Sequence, residues 1–298
     1  MKRALVILCA LAAAAHAQQA PAKLVVGIYA PSIEFGTAQA RLAYVQGLAK
    51  AIEQNTGIKT EAQSYATIAA LEKDNVDFAI VDAPCVAINS SWHLLAAANV
   101  GGATNRPWAL FSAAGGDMHA LEGKKLAFIQ TGCNDAGFID NAMLESEVGA
   151  TFFGARVGKP DLAAAISEVA SYKAAQAVFA PVAAAHGLTK VFDTGSVPNP
   201  AFVAVNSKLP PAVVDKVGAA ITSYGGSGAI ASWIKTSREP YQALAARFAK
   251  VTKLGVFANP EPARIDAKDA LIEPPTLRDA AMPPVRHLFV RPPGDRMD

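Results

Sequence analysis

The strongest constraint on the fold is a pattern that occurs twice. Leu24 to Ile28 is a short apolar run ended by Tyr29-Ala30-Pro31-Ser32, which reads as a buried strand running into a loop. In the next segment, "TAQARLAYVQGLAKAIEQNTG", Leu42, Val45, Leu48 and Ile52 recur at helical spacing, and Gly57 stands where a helix end favours a residue without a side chain. "IKTEAQSY" alternates like a strand, "TIAALEKDN" is a short helix, and "VDFAIVDAPCV" is a second buried strand that enters a loop at Asp82 to Cys85. The order then repeats. "KKLAFI" is a strand ending in the loop Gln130 to Gly137, and "AGFIDNAMLESEVG" is a helix closed by Gly149. "ATFFGARV" is strand-like, "DLAAAISEVASY" is a helix, and "AQAVFAPV" is a strand that enters a loop at Ala180-Pro181. Two βαβαβ units of nearly equal length predict an α/β protein. Right-handed crossovers give each unit a parallel sheet with helices on both faces, hence two doubly wound lobes.

The segments around the units supply the joints. "WALFSAA" reads as a strand crossing from one lobe to the other, with the following glycines as a hinge, and "AFVAVN" reads as the strand that returns. The two-strand hinge places residues 22–110 and 200–258 in lobe 1 and 111–199 in lobe 2. Two further helices are expected, roughly Pro211 to Tyr224 and Ala229 to Lys250, packed on lobe 1. From Asn259 onward prolines recur through Pro293, so 259–298 reads as a disordered tail.

At the other end, Lys2 and Arg3 precede an apolar run from Leu5 to Ala15, and Ala15-His16-Ala17 is a small-x-small cleavage site. Residues 1–17 are read as a secretory signal, which places the mature protein in the periplasm. Losing Lys2 and Arg3 brings the 27 basic residues level with the 25 acidic ones, so no nucleic-acid-binding face is implied. Of three cysteines, Cys9 leaves with the signal, and Cys85 and Cys133 remain in an oxidising compartment.

In open α/β sheets ligands sit beyond the carboxyl ends of the strands. In a two-lobe clamp those ends face one another. Tyr29 and Ser32 lie in the first such loop, Asp82 and Cys85 in the second, and Thr131, Cys133, Asn134 and Asp135 in the third. Tyr29 could stack on a ligand and Ser32 donate to it. Asp82 and Asp135 could present one carboxylate from each lobe to a cationic or polyhydroxyl ligand. For the cysteines three readings compete: a disulfide tying the lobes, a pair of soft ligands to a thiophilic ion, or two small buried residues. No His or Cys spacing indicates a metal site or another cofactor. No histidine or acid is placed to activate Cys133 as a nucleophile, so catalysis is not expected.

Four stretches, in order, resemble the periplasmic substrate-binding proteins of ABC transporters, in the branch of the phosphate/phosphite/phosphonate-binding family. "LVVGIYAPSIEFGTAQARLAYVQGLAKAIEQNTGIKTEAQSY" is similar to the family opening. "DNVDFAIVDAPCVA" resembles its second strand and loop, "LEGKKLAFIQTGCNDAGFI" its ligand loop, and "SKLPPAVVDKVGAAI" its late helix. The resemblance implies a Venus-flytrap (type 2 periplasmic-binding-protein) fold, probing for a small polar solute or oxyanion, and delivery to a membrane permease by a monomeric carrier. The hydroxyl run with which phosphonate binders of the family cap their anion is replaced here by Asn134, Asp135 and Ala136. A related branch includes arsenite sensors that use a cysteine, so the resemblance also implies an alternative: a sensor or scavenger of a soft metal or metalloid through Cys85 and Cys133, coupled to a membrane kinase.

Overall fold

The computed structural model describes residues 21–226 and 228–249. The expected signal segment and Pro-rich tail lie outside the described residues. The chain folds as two α/β lobes, each built on a mixed sheet.

The first sheet contains β1 (Lys23–Tyr29), β2 (Lys59–Ser64), β3 (Phe78–Val81), β4 (His93–Asn99), β10 (Ala201–Ala204) and β11 (Ser232–Ile234), in the order β11-β4-β10-β3-β1-β2. The second contains β5 (Asn105–Ser112), β6 (Lys125–Ile129), β7 (Ala155–Lys159), β8 (Ala177–Pro181) and β9 (Thr189–Pro198), in the order β7-β6-β8-β5-β9. Within each predicted unit the strands pair in parallel. The added strands β10 and β11 in lobe 1, and β5 and β9 in lobe 2, pair antiparallel.

The helices are α1 (Ala38–Thr56), α2 (Ile68–Lys73), α3 (Ala83–Ile88), the single turn α4 (Asp135–Gly137), α5 (Leu162–Ala170), α6 (Pro211–Ser223) and α7 (Glu239–Arg247). Helix α1 shows why the first unit is regular. Thr37 Oγ1 accepts the Ala40 amide at 3.0 Å, which satisfies one orphan donor of the first turn. Gly57 ends the helix in the left-handed region, at φ 72°. Between them Val45, Leu48 and Ile52 are fully buried at helical spacing against the sheet. Val217 and Ile221 of α6 join the same core, where the Phe78 and Phe202 rings stack at 5.8 Å. The indole of Trp233 donates to the Tyr44 hydroxyl at 3.0 Å, so the buried polar tips of both rings are paired.

Three expectations are corrected. "WALFSAA" does not cross between lobes: β5 pairs along its whole length with β9 in the second sheet. The chain changes sheet between Asn99 and Asn105, and returns between Pro198 and Ala201. The helix expected from Ala136 to Gly149 lasts one α-turn and then widens into a π-helical segment, Phe138–Met143, in which Leu144 N–H donates to the carbonyl of Ile139. The helix expected over 229–250 is preceded by β11, because Trp233 alternates inward with its two neighbours more exposed, a strand's period of two. Helix α7 packs against α3 of lobe 1 and also against β9 and the π-helical segment of lobe 2, rather than on lobe 1 alone.

Candidate functional site

The carboxyl ends of β1, β3, β6 and β8 converge where the lobes meet. In lobe 1 the loop after β1 is fastened to the start of α3. Asp82 is 1% exposed, and its carboxylate accepts the Ser32 amide at 2.9 Å and the Ser32 hydroxyl at 2.6 Å. Burial pushes the Asp82 carboxyl up to about 6; the two Ser32 bonds and the nearby Arg106 guanidinium oppose that rise. Asp82 stands at the N-cap position of α3 but makes no capping bond, because Ser32 takes its oxygens.

In lobe 2 the loop after β6 closes on itself. The Asp135 carboxylate accepts the amides of Thr131 and Gly132, each at 3.0 Å, and the Thr131 hydroxyl. The Cys133 amide donates to Thr131 Oγ1 at 3.1 Å, and the Gly137 amide to Asn134 Oδ1 at 3.2 Å. Asn134 holds φ 56°, a left-handed conformation that asparagine tolerates better than most side chains. Gly132 is also left-handed, at φ 73°, and a Cβ there would stand 3.0 Å from Ile68 of lobe 1, so both the backbone and the close approach of the lobes favour glycine. A strand-to-helix loop offers its N–H groups to an anion. Here Asp135 itself is that anion.

The lobes meet through several contacts. The Tyr29 hydroxyl donates to the Gln130 carbonyl at 2.9 Å, and burial raises its phenol, reinforced by Asp82 and Asp135. The first amide of α5, Leu162, donates to the Pro31 carbonyl at 3.0 Å. Arg106, at the start of β5, donates Nε to Asn199 Oδ1 at 2.7 Å and reaches the Ser32 carbonyl and hydroxyl at 3.4 Å. Asn199 in turn donates to the carbonyls of Ala98 and Ala103, which knots the two connecting segments together. Helix α7 braces both lobes: Arg238 donates to the carbonyls of Val86, Asn89 and Trp92 in lobe 1, and Arg247 to those of Ala142 and Thr194 in lobe 2.

Cys85 and Cys133 are joined by a disulfide, with their Cα atoms 5.0 Å apart. Of the three readings of the pair, the structure selects the first and corrects the second. Bonded sulfurs offer no thiolate to a soft ion. Among the described residues no group of three His, Cys, Asp or Glu is placed to hold a metal.

Two cavities lie between the lobes. The deep one is walled by Trp108, Phe128, Phe138 and Phe179, with Ser32, Asp82, Thr131 and Asp135 at its polar edge. Its volume of about 30 Å³ is room for roughly two water molecules. The outer one, of about 350 Å³, lies between the loop from Pro31 to Ala38, with Arg41 of α1, and the start of α5 from Pro160 to Ala163. That is the size of a small-molecule site. The lining of the two together carries four carboxylates, Asp82, Asp135, Glu34 and Asp161, against one guanidinium, Arg41.

Of the eight residues expected from sequence, Ser32, Asp82, Thr131 and Asp135 line the deep cavity. Tyr29, Cys85 and Cys133 bridge the lobes, and Asn134 caps its own turn. Sequence reasoning missed Arg106, Asn199 and Trp108. Arg106 and Trp108 belong to "TNRPW", the stretch that opens β5 at the change of sheet, and Asn199 lies in the returning connector between β9 and β10.

No protein-family model matches the sequence, and no curated protein is similar to it. Solved structures are similar in fold. PhnD1 of Prochlorococcus marinus in complex with methylphosphonate superposes with a TM-score of 0.59 at 11% identity, covering 77% of this chain and 99% of that one. A binding-protein component of an ABC phosphonate transporter from Pseudomonas aeruginosa gives 0.58 at 12% identity, over 78% and 90%. A Xanthomonas citri protein bound to ATP gives 0.57 at 11%, over 76% and 97%. The two-lobe α/β architecture is therefore similar to that of these solved structures, among them a binding-protein component of an ABC phosphonate transporter.

Proposed function

We propose that this chain is a periplasmic solute-binding protein that holds a small neutral or cationic solute between its lobes and presents it to the permease of an ABC-type importer. The observation that carries the reading is the double use of internal carboxylates. Asp82 occupies the donors of the first loop and Asp135 those of the third. An oxyanion entering there would find its hydrogen-bond donors taken and two carboxylates beside it. Like charge in a partly desolvated cleft is costly, whereas an amine or a hydroxyl-rich solute could donate to the same oxygens. The outer cavity supplies the space; its lining carries Arg41 together with Glu34 and Asp161, and the Arg41 guanidinium donates Nε to the Ser64 hydroxyl at 2.8 Å.

Isothermal calorimetry on the mature protein tests this, after a thermal-shift screen over organic amines, polyols, methylphosphonate and sulfate. Binding confined to amines or polyols, weakened by Glu34→Gln, is the expected result. Tight binding of methylphosphonate or sulfate overturns the solute class. Silence across every class in both the oxidised and the dithiothreitol-reduced protein, each folded, overturns the solute-binding reading itself.

A further inference from the structure

We propose that the Cys85–Cys133 disulfide is a latch on the cleft: oxidised, it holds the lobes nearly shut; reduced, it lets them part and exchange solute. The inference deepens the solute-binding reading, but its geometry stands independently of any solute.

The bond crosses between lobes at a defined distance from the joint. Cys85 lies on α3, just after β3, and β3 is the immediate neighbour of β10, the strand on which the chain returns to lobe 1. Cys133 follows β6, which lies two positions from β5, the strand on which the chain enters lobe 2. Neighbouring strands are ~4.8 Å apart, so the bond acts on an arm of roughly 5–10 Å from the connecting strands. Its Cα atoms are 5.0 Å apart. Disulfides span Cα separations up to ~6.8 Å, which leaves about 2 Å of play at this point. Over such an arm, that play limits the rotation of one lobe on the other to roughly 10–20°.

The deep cavity, at about 30 Å³, needs the lobes to part before it can admit a solute. The polar ties across the cleft are hydrogen bonds, Tyr29 to Gln130, Leu162 to Pro31 and Arg106 to Ser32, which water can replace as the lobes separate; apolar side chains of both lobes also share one buried cluster, whose packing must loosen for the cleft to open. The braces of α7 combine arginine-to-carbonyl bonds with the buried side chains of Tyr241 and Leu244, which pack into the same cluster. Among these contacts the disulfide alone is covalent and sets a fixed limit to opening. Both cysteines are buried, so an attacking thiolate reaches the bond only through the limited opening that the bond itself allows.

Unlatching is thiol–disulfide exchange with an external dithiol. One thiolate of the dithiol attacks a protein sulfur, forming a mixed disulfide and releasing the other cysteine as thiolate. The second thiol of the reagent then displaces the first cysteine. Two electrons and two protons pass to Cys85 and Cys133, and the reagent leaves as its own disulfide.

Hydrogen exchange read by mass spectrometry tests the latch without any solute, so a failed solute screen does not bear on it. The reporter is the Leu162 amide, whose partner is the Pro31 carbonyl of the opposite lobe. We expect the peptide around Leu162 to exchange about tenfold or more faster in the dithiothreitol-reduced protein and in the Cys85→Ser/Cys133→Ser double variant than in the oxidised protein. The peptides of β6 and β8 should keep their protection in all three. Reoxidation of the reduced wild type by oxidised glutathione should restore the slow rate, and the double variant should not respond. Equal exchange at Leu162 in oxidised, reduced and variant forms overturns the proposal, because the hydrogen bonds and α7 would then suffice. Loss of protection in β6 and β8 as well overturns it too, because the bond would then staple the fold rather than gate the cleft.

Discussion

The segments that follow β1 and β6 hold equivalent places in the two lobes and are built in opposite ways. After β1 the chain makes an open loop, a threonine cap and a 19-residue helix. After β6 it makes a knot around Asp135, a single α-turn and a π-helical segment. In the first case the helix satisfies its own start through Thr37, and the preceding loop is pinned at Ser32 by Asp82 while Glu34 to Thr37 line the outer cavity. In the second, Asp135 gathers the amides of its loop and Cys133 anchors it to lobe 1. One jaw is pinned at a single residue by a carboxylate from outside the loop, and the other is knotted by a carboxylate of its own. On the proposed reading, that division would put solute discrimination on the first loop and rigidity on the second.

Four measurements break or sharpen this contrast. The largest expected effect is in the lobe 1 core. Phe202→Ala removes a fully buried ring stacked on Phe78 and should lower stability in urea by about 3–5 kcal/mol. If both lobes nonetheless melt in one transition, the lobes are coupled more strongly than their separate sheets suggest.

Next is the pH response of Asp82. Burial raises its carboxyl from 3.8 to about 6, so the folded state holds this proton more tightly than the unfolded chain. The resulting stability is fully present below pH ~4 and is lost as pH rises through about 6, an effect of about 2–3 kcal/mol. Urea midpoints of wild type and Asp82→Asn, compared at pH 4 and pH 7, should differ most in their pH dependence. Parallel curves would mean that Asp82 is solvated and not part of a closed first jaw.

Asp135→Ala strips the Thr131 amide and hydroxyl of their acceptor and should cost about 2 kcal/mol. Thr37→Ala should cost only about 1 kcal/mol, the usual value of a lost N-cap. Equal losses in these two variants, measured by the same denaturation, would erase the distinction between a knotted and an open loop.

Much of the fold was legible because local and global signals agreed. The strand β1, helix α1 and strand β3 each carry a buried apolar pattern with a matching stop signal, and the chain follows them. The second helix of that kind failed because side-chain chemistry outweighed periodicity. "AGFIDNAMLESEVG" has helical spacing, yet Arg156 pairs with Asp140 and the chain turns left-handed at Glu145 and Ser146, which ends the segment early. The site was legible in membership but not in role. Asp82 and Asp135 were found as carboxylates at strand ends, but their service to neighbouring amides depends on loop geometry that residue spacing does not encode. Arg106 and Asn199 escaped notice because each is a single polar residue beside a change of sheet, one opening β5 and the other in the returning connector. Only the sheet order reveals that both connectors meet there.

The insertion of β10 between β3 and β4 has a consequence for how the molecule is made. As the chain emerges from its N-terminus, β3 and β4 appear about a hundred residues before the strand that must lie between them. Until Phe202 arrives, Phe78 has no stacking partner, and facing edges of both strands stand unpaired. Lobe 2, by contrast, is one uninterrupted stretch and can close on itself first. Assembly is therefore expected to begin in the middle of the chain and finish at its start, with the earliest-made half waiting longest in a form that a neighbouring chain could capture.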